Sequence, residues 1–329
     1  MERPAPPQAA NGAASRLGRM PLPIFLLLVG INLLWAGSSL AAKIALHGIP
    51  PMTLAFARFA LAALLMYGVA VARKVDLRVA RRDWGAFWGM GILGLALTYL
   101  LQYQGLALTT VSNAALLHAT ETVFLSILAF VFLREAMPRT KILGIFVGLA
   151  GVYLIIAGGW KLPAFSGLTL GNLLIVLALA FEAGSSIVGK GLVARYPILS
   201  VVTYQMLSGA ISLAPFSAYE LTQRTAHGHG LTLPSAPALW SLVYLILLCT
   251  VFGYMVWFTV LDKHEASEMS VFLFIQPVAG AFLGAYFAGD KVTAFTLGGA
   301  ALVLLAVGLV NRRPPSAPPQ PVPPLPPGP

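Results

Sequence analysis

Charge is what this sequence has least of. Only 10% of its 329 residues are Asp, Glu, Lys or Arg, whereas 58% are hydrophobic. An average soluble domain is about one quarter charged, so the composition argues against a water-soluble fold. Cysteine is nearly absent too, because Cys249 is the only one in the chain. An intramolecular disulfide is therefore excluded, and the redox compartment is left open.

Long polar stretches are also rare. Apolar runs recur along nearly the whole chain, and about 20 such residues form one helical crossing of a bilayer. The runs are apolar on all faces rather than alternating, which indicates spanning helices and not barrel strands. The predicted fold class is an all-α integral membrane protein with ten transmembrane helices. The predicted spans are residues 23–44, 52–72, 84–108, 112–133, 140–158, 168–189, 199–219, 238–261, 267–288 and 293–310.

The basic residues are unevenly placed between these spans. Sixteen of the 21 Lys and Arg fall in segments on one side of the membrane and four on the other, with Arg58 left inside a span. By the positive-inside rule, we expect both termini to be cytoplasmic in a multi-pass protein of the plasma (inner) membrane. Topology thus accounts for the net charge of +10. We expect the lipid bilayer as a partner and no nucleic acid.

An internal repeat divides the chain into two halves. Residues 36–39 (AGSS) recur as residues 183–186, Tyr99 matches Tyr254, and Gly144 matches Gly299. Each half holds five predicted spans, and because five is odd the second half must be inserted upside down relative to the first. Inverted repeats are typical of carriers. The predicted organisation is a disordered cytoplasmic tail (1–22), a first five-helix repeat (23–158), a second five-helix repeat (168–310) and a Pro-rich disordered tail (311–329).

Several short motifs carry a family resemblance. The first span reads Trp35 to Ser39, Pro50 and Pro51 precede the second, Arg58 and Phe59 lie within it, and Glu135 and Asp290 close the fourth and ninth. Over about residues 23–310 the chain resembles the drug/metabolite transporter superfamily, in particular its EamA-type ten-helix exporters. The resemblance implies a basket of ten helices with a central cavity, and amino acids, other small metabolites or drugs as substrates. The ninth span has the proline typical of the family, Pro277. At the matching position of the fourth span the chain departs from the family pattern, because it has Thr122, preceded by Glu121.

Two acidic residues lie inside predicted spans. A charge at the bilayer centre costs roughly 2.5 to 3.5 kcal/mol on insertion scales, so such groups usually face a cavity or a partner. Glu121 lies in the fourth span with His118 one turn away, and Glu182 lies in the sixth. We expect them to bind a substrate amine, and proton coupling through Glu121 and Glu182 is a hypothesis. The alternative is a neutral, hydrogen-bonded contact that only holds helices together.

Polar and aromatic side chains in matching spans complete the predicted site. Aromatic rings would suit a flat, partly apolar ligand, although aromatic stripes and serines also serve helix packing. Arg58 is left with two readings, attraction of a carboxylate or extension toward lipid headgroups. The predicted substrate-binding residues are Asn32, Trp35, Ser39, Tyr99, Gln102, Tyr103, His118, Glu121, Glu182, Ser185, Tyr254, Trp257 and Gln276.

These features together predict a secondary transporter and not an enzyme. It would export a small organic metabolite through a central cavity by alternating access, with the small molecule as its partner. No phosphate-binding Walker loop is present, and His227 and His229 make a poor metal site, so no cofactor or metal is expected. A sugar or nucleotide-sugar exchanger is the alternative within carriers. A membrane-embedded enzyme or a receptor is the alternative from another class, and glycine pairs leave a homodimer open.

Overall fold

The computed structural model describes residues 21–133, 139–157, 166–193, 195–227, 233–261, 272 and 275–310. Nearly all of both predicted tails, Glu135 and most of the first eight residues of the predicted ninth span (267–274) lie outside this range. Within it, the regular structure is helical and includes no strand. The helices are α1 (Leu22–Leu46), α2 (Pro51–Ala72), α3 (Trp84–Gly91), α4 (Thr98–Leu108), α5 (Val111–Leu117), α6 (Glu121–Leu133), α7 (Arg139–Ala157), α8 (Gly167–Val193), α9 (Ile198–Ala226), α10 (Ala236–Tyr244), α11 (Gly253–Leu261), α12 (Ile275–Phe287) and α13 (Ala294–Val310).

These helices form the ten predicted spans. Six helical stretches are long and apolar enough to cross a membrane, and shorter apolar helices cover 142–155, 275–287 and 294–306. The fourth span consists of α5 and α6 joined by a 3-10 turn, His118–Thr120. Large apolar side chains point outward, among them Leu64, Phe132 and Phe146, as expected of surfaces that contact lipid. The prediction of an all-α integral membrane fold is confirmed.

Two spans contain a segment of π-helix at matching places. In the third span, Ile92–Leu97 joins α3 to α4, and in the eighth, Leu245–Phe252 joins α10 to α11. A π-helical segment widens the turn, and such segments occur frequently at functional sites. Apolar periodicity does not distinguish π from α, so the sequence predicts these spans as uninterrupted helices.

Local sequence signals explain where several helices begin. Pro51 occupies the first turn of α2, where its missing N–H costs no hydrogen bond, and Pro197 precedes the first residue of α9. The side chain of Thr110 accepts a hydrogen bond from the backbone N–H of Asn113 and thereby caps α5. Prolines and a threonine thus set three helix starts near the membrane surface.

Matching spans of the two halves pack against each other as pairs. The second span (α2) packs on the seventh (α9), and the fifth (α7) packs on the tenth (α13). In the latter pair the backbones approach so closely that a Cβ on Gly151 would lie 2.6 Å from the carbonyl oxygen of Gly299. The other six spans contact one another between these two pairs.

The glycine pairs differ in what they face. Added Cβ atoms on Gly280 and Gly284 would meet Ala115 and Ser112, so this pair serves packing within the chain. In contrast, Gly85 and Gly89 have open space around them. The possible homodimer stays a prediction.

Candidate functional site

The centre of the bundle is formed by spans one, three, four, six, eight and nine. The first span (α1) packs on α10, α11 and α12, α4 packs on α8, and α5 packs on α12. These are the spans that carry every predicted site residue. The two outer pairs of spans contribute one further central residue, Arg58.

Glu121 and Glu182 lie on two helices of this centre that pack on each other. Glu121 is the first residue of α6, immediately after the 3-10 turn, and Glu182 lies in α8. The two carboxyl groups interact electrostatically, and both side chains keep some exposed surface. Neither carboxyl accepts a hydrogen bond from the described residues. Acidic groups inside an apolar bundle usually face a cavity or a partner.

Arg58 points into the bundle and does not extend to the membrane surface. It is 3% exposed, and its guanidinium donates from Nε to Thr250 Oγ1 at 2.8 Å and from Nη1 to Tyr103 OH at 2.7 Å. The guanidinium also lies 4.8 Å from the centre of the Tyr99 ring, within the range of a cation–π contact. Its positive charge interacts with Glu182. The reading that Arg58 extends to lipid headgroups is therefore wrong for this conformation.

An aromatic cluster adjoins the charged groups. Trp35 contacts Tyr254 and Trp257, with ring centres 6.2 and 5.5 Å apart, and all three side chains keep some exposed surface. The indole Nε1 of Trp35 donates to the carbonyl oxygen of Cys249 at 2.8 Å. That carbonyl belongs to the π-helical segment of the eighth span. The π-helix and the aromatic cluster are thus directly connected.

Tyr99 joins the aromatic cluster to Arg58. Its ring lies 5.5 Å from that of Tyr103 on the same helix, and its hydroxyl interacts with that of Tyr254 across the centre. Tyr254 in turn interacts electrostatically with both Glu121 and Glu182. The residues that the repeat matched, Tyr99 and Tyr254, therefore face each other.

Two amide side chains hold polar partners in place. Gln102 hydrogen-bonds to His118, with 2.9 Å between Gln102 Nε2 and His118 Nε2, so the third span is tied to the turn that precedes Glu121. Gln276 donates to Asn32 at 2.9 Å, and Asn32 donates to the backbone oxygen of Leu28. Because Asn32 is fully buried, in this conformation it supports Gln276 rather than facing open space.

The predicted serines differ in their surroundings. Ser185 is buried and donates to the backbone oxygen of Met90 at 3.0 Å, a contact between the sixth and third spans that serves packing. Ser39 keeps some exposed surface in the first span. Ligand contact at either serine stays a prediction.

Two central residues were absent from the predicted set. Thr250 accepts from Arg58 and donates to the backbone oxygen of Leu245 through its hydroxyl. No pattern in the sequence separates it from other threonines in apolar helices. Arg58 itself carried a signal, since a charged residue within a span marks a site, but the sequence left its direction undecided.

Comparison with known proteins identifies the family of this chain. The model of the EamA-like transporter family matches this chain twice, at residues 22–157 and 169–312. An uncharacterized transporter of Archaeoglobus fulgidus is 30% identical over 88% of this chain and 97% of its own length. A protein of Streptantibioticus cattleyicolor named a probable terminal-alkyne amino-acid exporter is 28% identical over 85% of this chain and 90% of its own.

The fold is also shared with a solved protein. A crystal structure with 18% sequence identity superposes with a TM-score of 0.61, covering 87% of this chain and 96% of that one. At this identity the likeness concerns the fold alone. The family match covers both halves of the chain and the two relatives are named as transporters. The chain belongs to the EamA-like transporter family.

Proposed function

We propose that the protein is a secondary transporter that exports a small organic metabolite by alternating access. The observation that carries this proposal is the placement of Glu121, Glu182 and the Trp35–Tyr254–Trp257 cluster on the central spans of two repeated halves. Two inverted halves around one site can expose it to each side of the membrane in turn. An amino acid, a related metabolite or a drug is the proposed substrate class, supported by the name of the Streptantibioticus relative.

The acidic pair supplies a means of coupling. A carboxyl in a low-dielectric centre has its charged form disfavoured, so it takes up a proton readily and can exchange it for a substrate cation. Alternating access then carries the proton in one direction and the substrate in the other. Such competition makes transport depend on a pH gradient.

Transport by charge-neutral variants tests this function. In vesicles that contain only the purified protein, the parent should move labelled substrate faster with an imposed pH gradient. Glu121→Gln and Glu182→Gln should lose that dependence, whereas Glu220→Gln should keep it, because Glu220 caps the first turn of α2 away from the centre. If both central variants keep the full dependence, proton coupling is wrong and facilitated diffusion is the better description. Efflux that requires a counter-substrate would instead favour a sugar or nucleotide-sugar exchanger.

We also propose that both termini face the cytoplasm, supported by the sixteen-to-four distribution of basic residues. An Arg78→Cys variant tests the orientation, since Arg78 is exposed and the native Cys249 is buried. A membrane-impermeant thiol reagent should label position 78 only after the cells are permeabilised. Labelling in intact cells would reverse the orientation.

A further inference from the structure

A threonine lies within or directly after each π-helical segment, and its hydroxyl spans the same wide turn. Thr250 Oγ1 donates to the backbone oxygen of Leu245 at 2.8 Å, and Thr98 Oγ1 donates to that of Leu93 at 2.7 Å. Both backbone oxygens belong to the residue five positions earlier in the chain. In an α-helix a threonine hydroxyl bonds three or four residues back, so these two hydrogen bonds belong to the wider turn.

Arg58 fixes the direction of the Thr250 hydroxyl. A hydroxyl has one hydrogen to donate, and a guanidinium can donate but cannot accept. Because Arg58 Nε donates to Thr250 Oγ1 at 2.8 Å, the single hydrogen of that hydroxyl is left for Leu245. The guanidinium is itself held from the third span, by Tyr103 OH at 2.7 Å and by the face of the Tyr99 ring. Arg58 therefore stabilises the wide turn of the eighth span from outside that span.

The wide turn decides which side chains of α11 face the centre. A π-helical hydrogen bond encloses one residue more than an α-helical one, so the helix beyond the turn is offset by one residue, or about 100°. If Leu245–Phe252 were α-helical and α10 stayed in place, Gly253 and Val256 would occupy the positions of Tyr254 and Trp257. The aromatic cluster would then lose both rings that the eighth span contributes.

The first span holds the turn at both of its ends. Tyr244, the last residue of α10, donates from its hydroxyl to the backbone oxygen of Leu34 at 2.6 Å. At the other end, a Cβ on Gly253 would lie 2.7 Å from Trp35 Nε1, so the indole packs against the glycine backbone. Because Tyr244 holds the end of α10, loss of the wide turn would rotate α11 and not α10.

We propose that Arg58 is a positioning residue for the aromatic cluster: through Thr250 it maintains the π-helical turn of the eighth span, which keeps Tyr254 and Trp257 directed toward the centre. Contact of these rings with the substrate rests on the proposed transport function, whereas the rotation of α11 does not. The residue that matches Arg58 in the other half is Gln205, a neutral amide that can both donate and accept. A glutamine does not force a hydroxyl to accept, so this arrangement is specific to the eighth span.

The thiol reactivity of engineered cysteines tests the rotation. In α11, the side chain of Thr259 is exposed, whereas Val260 is only 6% exposed. In the purified protein without substrate, N-ethylmaleimide should modify Thr259→Cys several-fold faster than Val260→Cys. The parent gives the background, because its only cysteine, Cys249, is buried.

Removal of the Thr250 hydroxyl should protect position 259. When the turn becomes α-helical, residue 259 moves to the buried place of residue 260, and residue 258 takes the exposed place. In Thr250→Val, modification of Thr259→Cys should therefore slow several-fold, and Phe258→Cys should react at the rate that position 259 has in the parent. Arg58→Met, which has no donor, should give the same change. Thr250→Ser keeps the hydroxyl and should keep the parent pattern.

A threonine in an ordinary α-helical turn provides the control. Thr203 in α9 is also buried, and its hydroxyl donates to the backbone oxygen of Leu199 at 2.6 Å, four residues earlier. Thr203→Val should leave the rates at positions 258 and 259 unchanged.

Two outcomes would overturn the proposal. One is the parent pattern in Thr250→Val or in a folded Arg58→Met variant. The other is faster modification of both Thr259→Cys and Val260→Cys, which would show that the span loosens instead of rotating. If Arg58→Met does not fold, Thr250→Val still decides, because it removes the same hydrogen bond from the other partner. Since no substrate is present, a failure of the transport proposal appears separately, as an absence of flux in vesicles.

Discussion

The two halves of the molecule have the same order of helices and differ in the chemistry of their central side chains. Helix α8 begins and ends near the positions that α1 predicts, α9 begins where α2 predicts but continues further, and each half has a π-helical segment in its third span. The central charged residues follow no such symmetry. Glu182 matches Trp35, Glu121 matches Gln276, and Arg58 matches Gln205. The two halves therefore share a helical framework, and each charged residue of the centre occurs in one half only.

Replacing Arg58 by glutamine, the residue at the matching position of the other half, should have the largest effect on stability of the three changes considered. Arg58→Gln removes the two hydrogen bonds that the buried guanidinium donates to Thr250 and Tyr103, and a hydrogen bond from a charged group contributes about 1.5–3 kcal/mol. Chemical denaturation of the purified protein in detergent at neutral pH measures this loss. An unchanged unfolding free energy would mean that these two hydrogen bonds do not stabilise the packed spans.

The two π-helical spans should respond unequally to loss of a threonine hydroxyl. Thr250 accepts a hydrogen bond from the charged Arg58, whereas Thr98 donates to the backbone oxygens of Leu93 and Ala178. A hydrogen bond to a charged group contributes about 1.5–3 kcal/mol and one between neutral groups about 0.5–1.5 kcal/mol. Thr250→Val should therefore reduce the unfolding free energy more than Thr98→Val. Equal losses would mean that Arg58 does not depend on this hydroxyl.

Of these three predictions, a substitution at the contact between the fifth and tenth spans should have the smallest effect on the unfolding free energy. It also has a closely matched control. In Gly151→Ala the new methyl group would meet the backbone of α13, and overpacking of this kind costs about 1–3 kcal/mol. Gly298→Ala adds the same group where nothing lies within 4 Å, next to Gly299 in the same contact region. The control should be neutral or slightly stabilising, as alanine is the better helix former. Equal effects would show that the two spans separate easily.

Much of the fold could be predicted from the sequence because the bilayer restricts it. A spanning segment must satisfy its backbone hydrogen bonds internally, so long apolar runs predict helices, and matching residues reveal the repeat. The places where the α-helical geometry of a span is interrupted could not be predicted in this way. The π-helical segments and the 3-10 turn at His118–Thr120 leave the hydrophobic pattern unchanged, since they alter the number of residues per turn only locally.

The candidate site was predictable as a set of residues but not as a set of contacts. Intramembrane acidic groups and matched aromatic residues pointed to Glu121, Glu182, Tyr99 and Tyr254. The pairing of His118 was different from the one that helical spacing suggested. Spacing placed it beside Glu121, and the structure hydrogen-bonds it to Gln102 on another span. A partner on a neighbouring helix depends on helix rotation, which a single-helix pattern does not specify.

By itself, the sequence determined that this chain is a membrane protein of ten helices in two inverted halves, because apolar length and repetition follow directly from the order of residues. Only the tertiary structure decided where Arg58 points. Its long side chain can reach either lipid headgroups or the bundle interior, and the sequence allows both. The guanidinium is held inside by the hydroxyl groups of Tyr103 and Thr250, which come from two other spans.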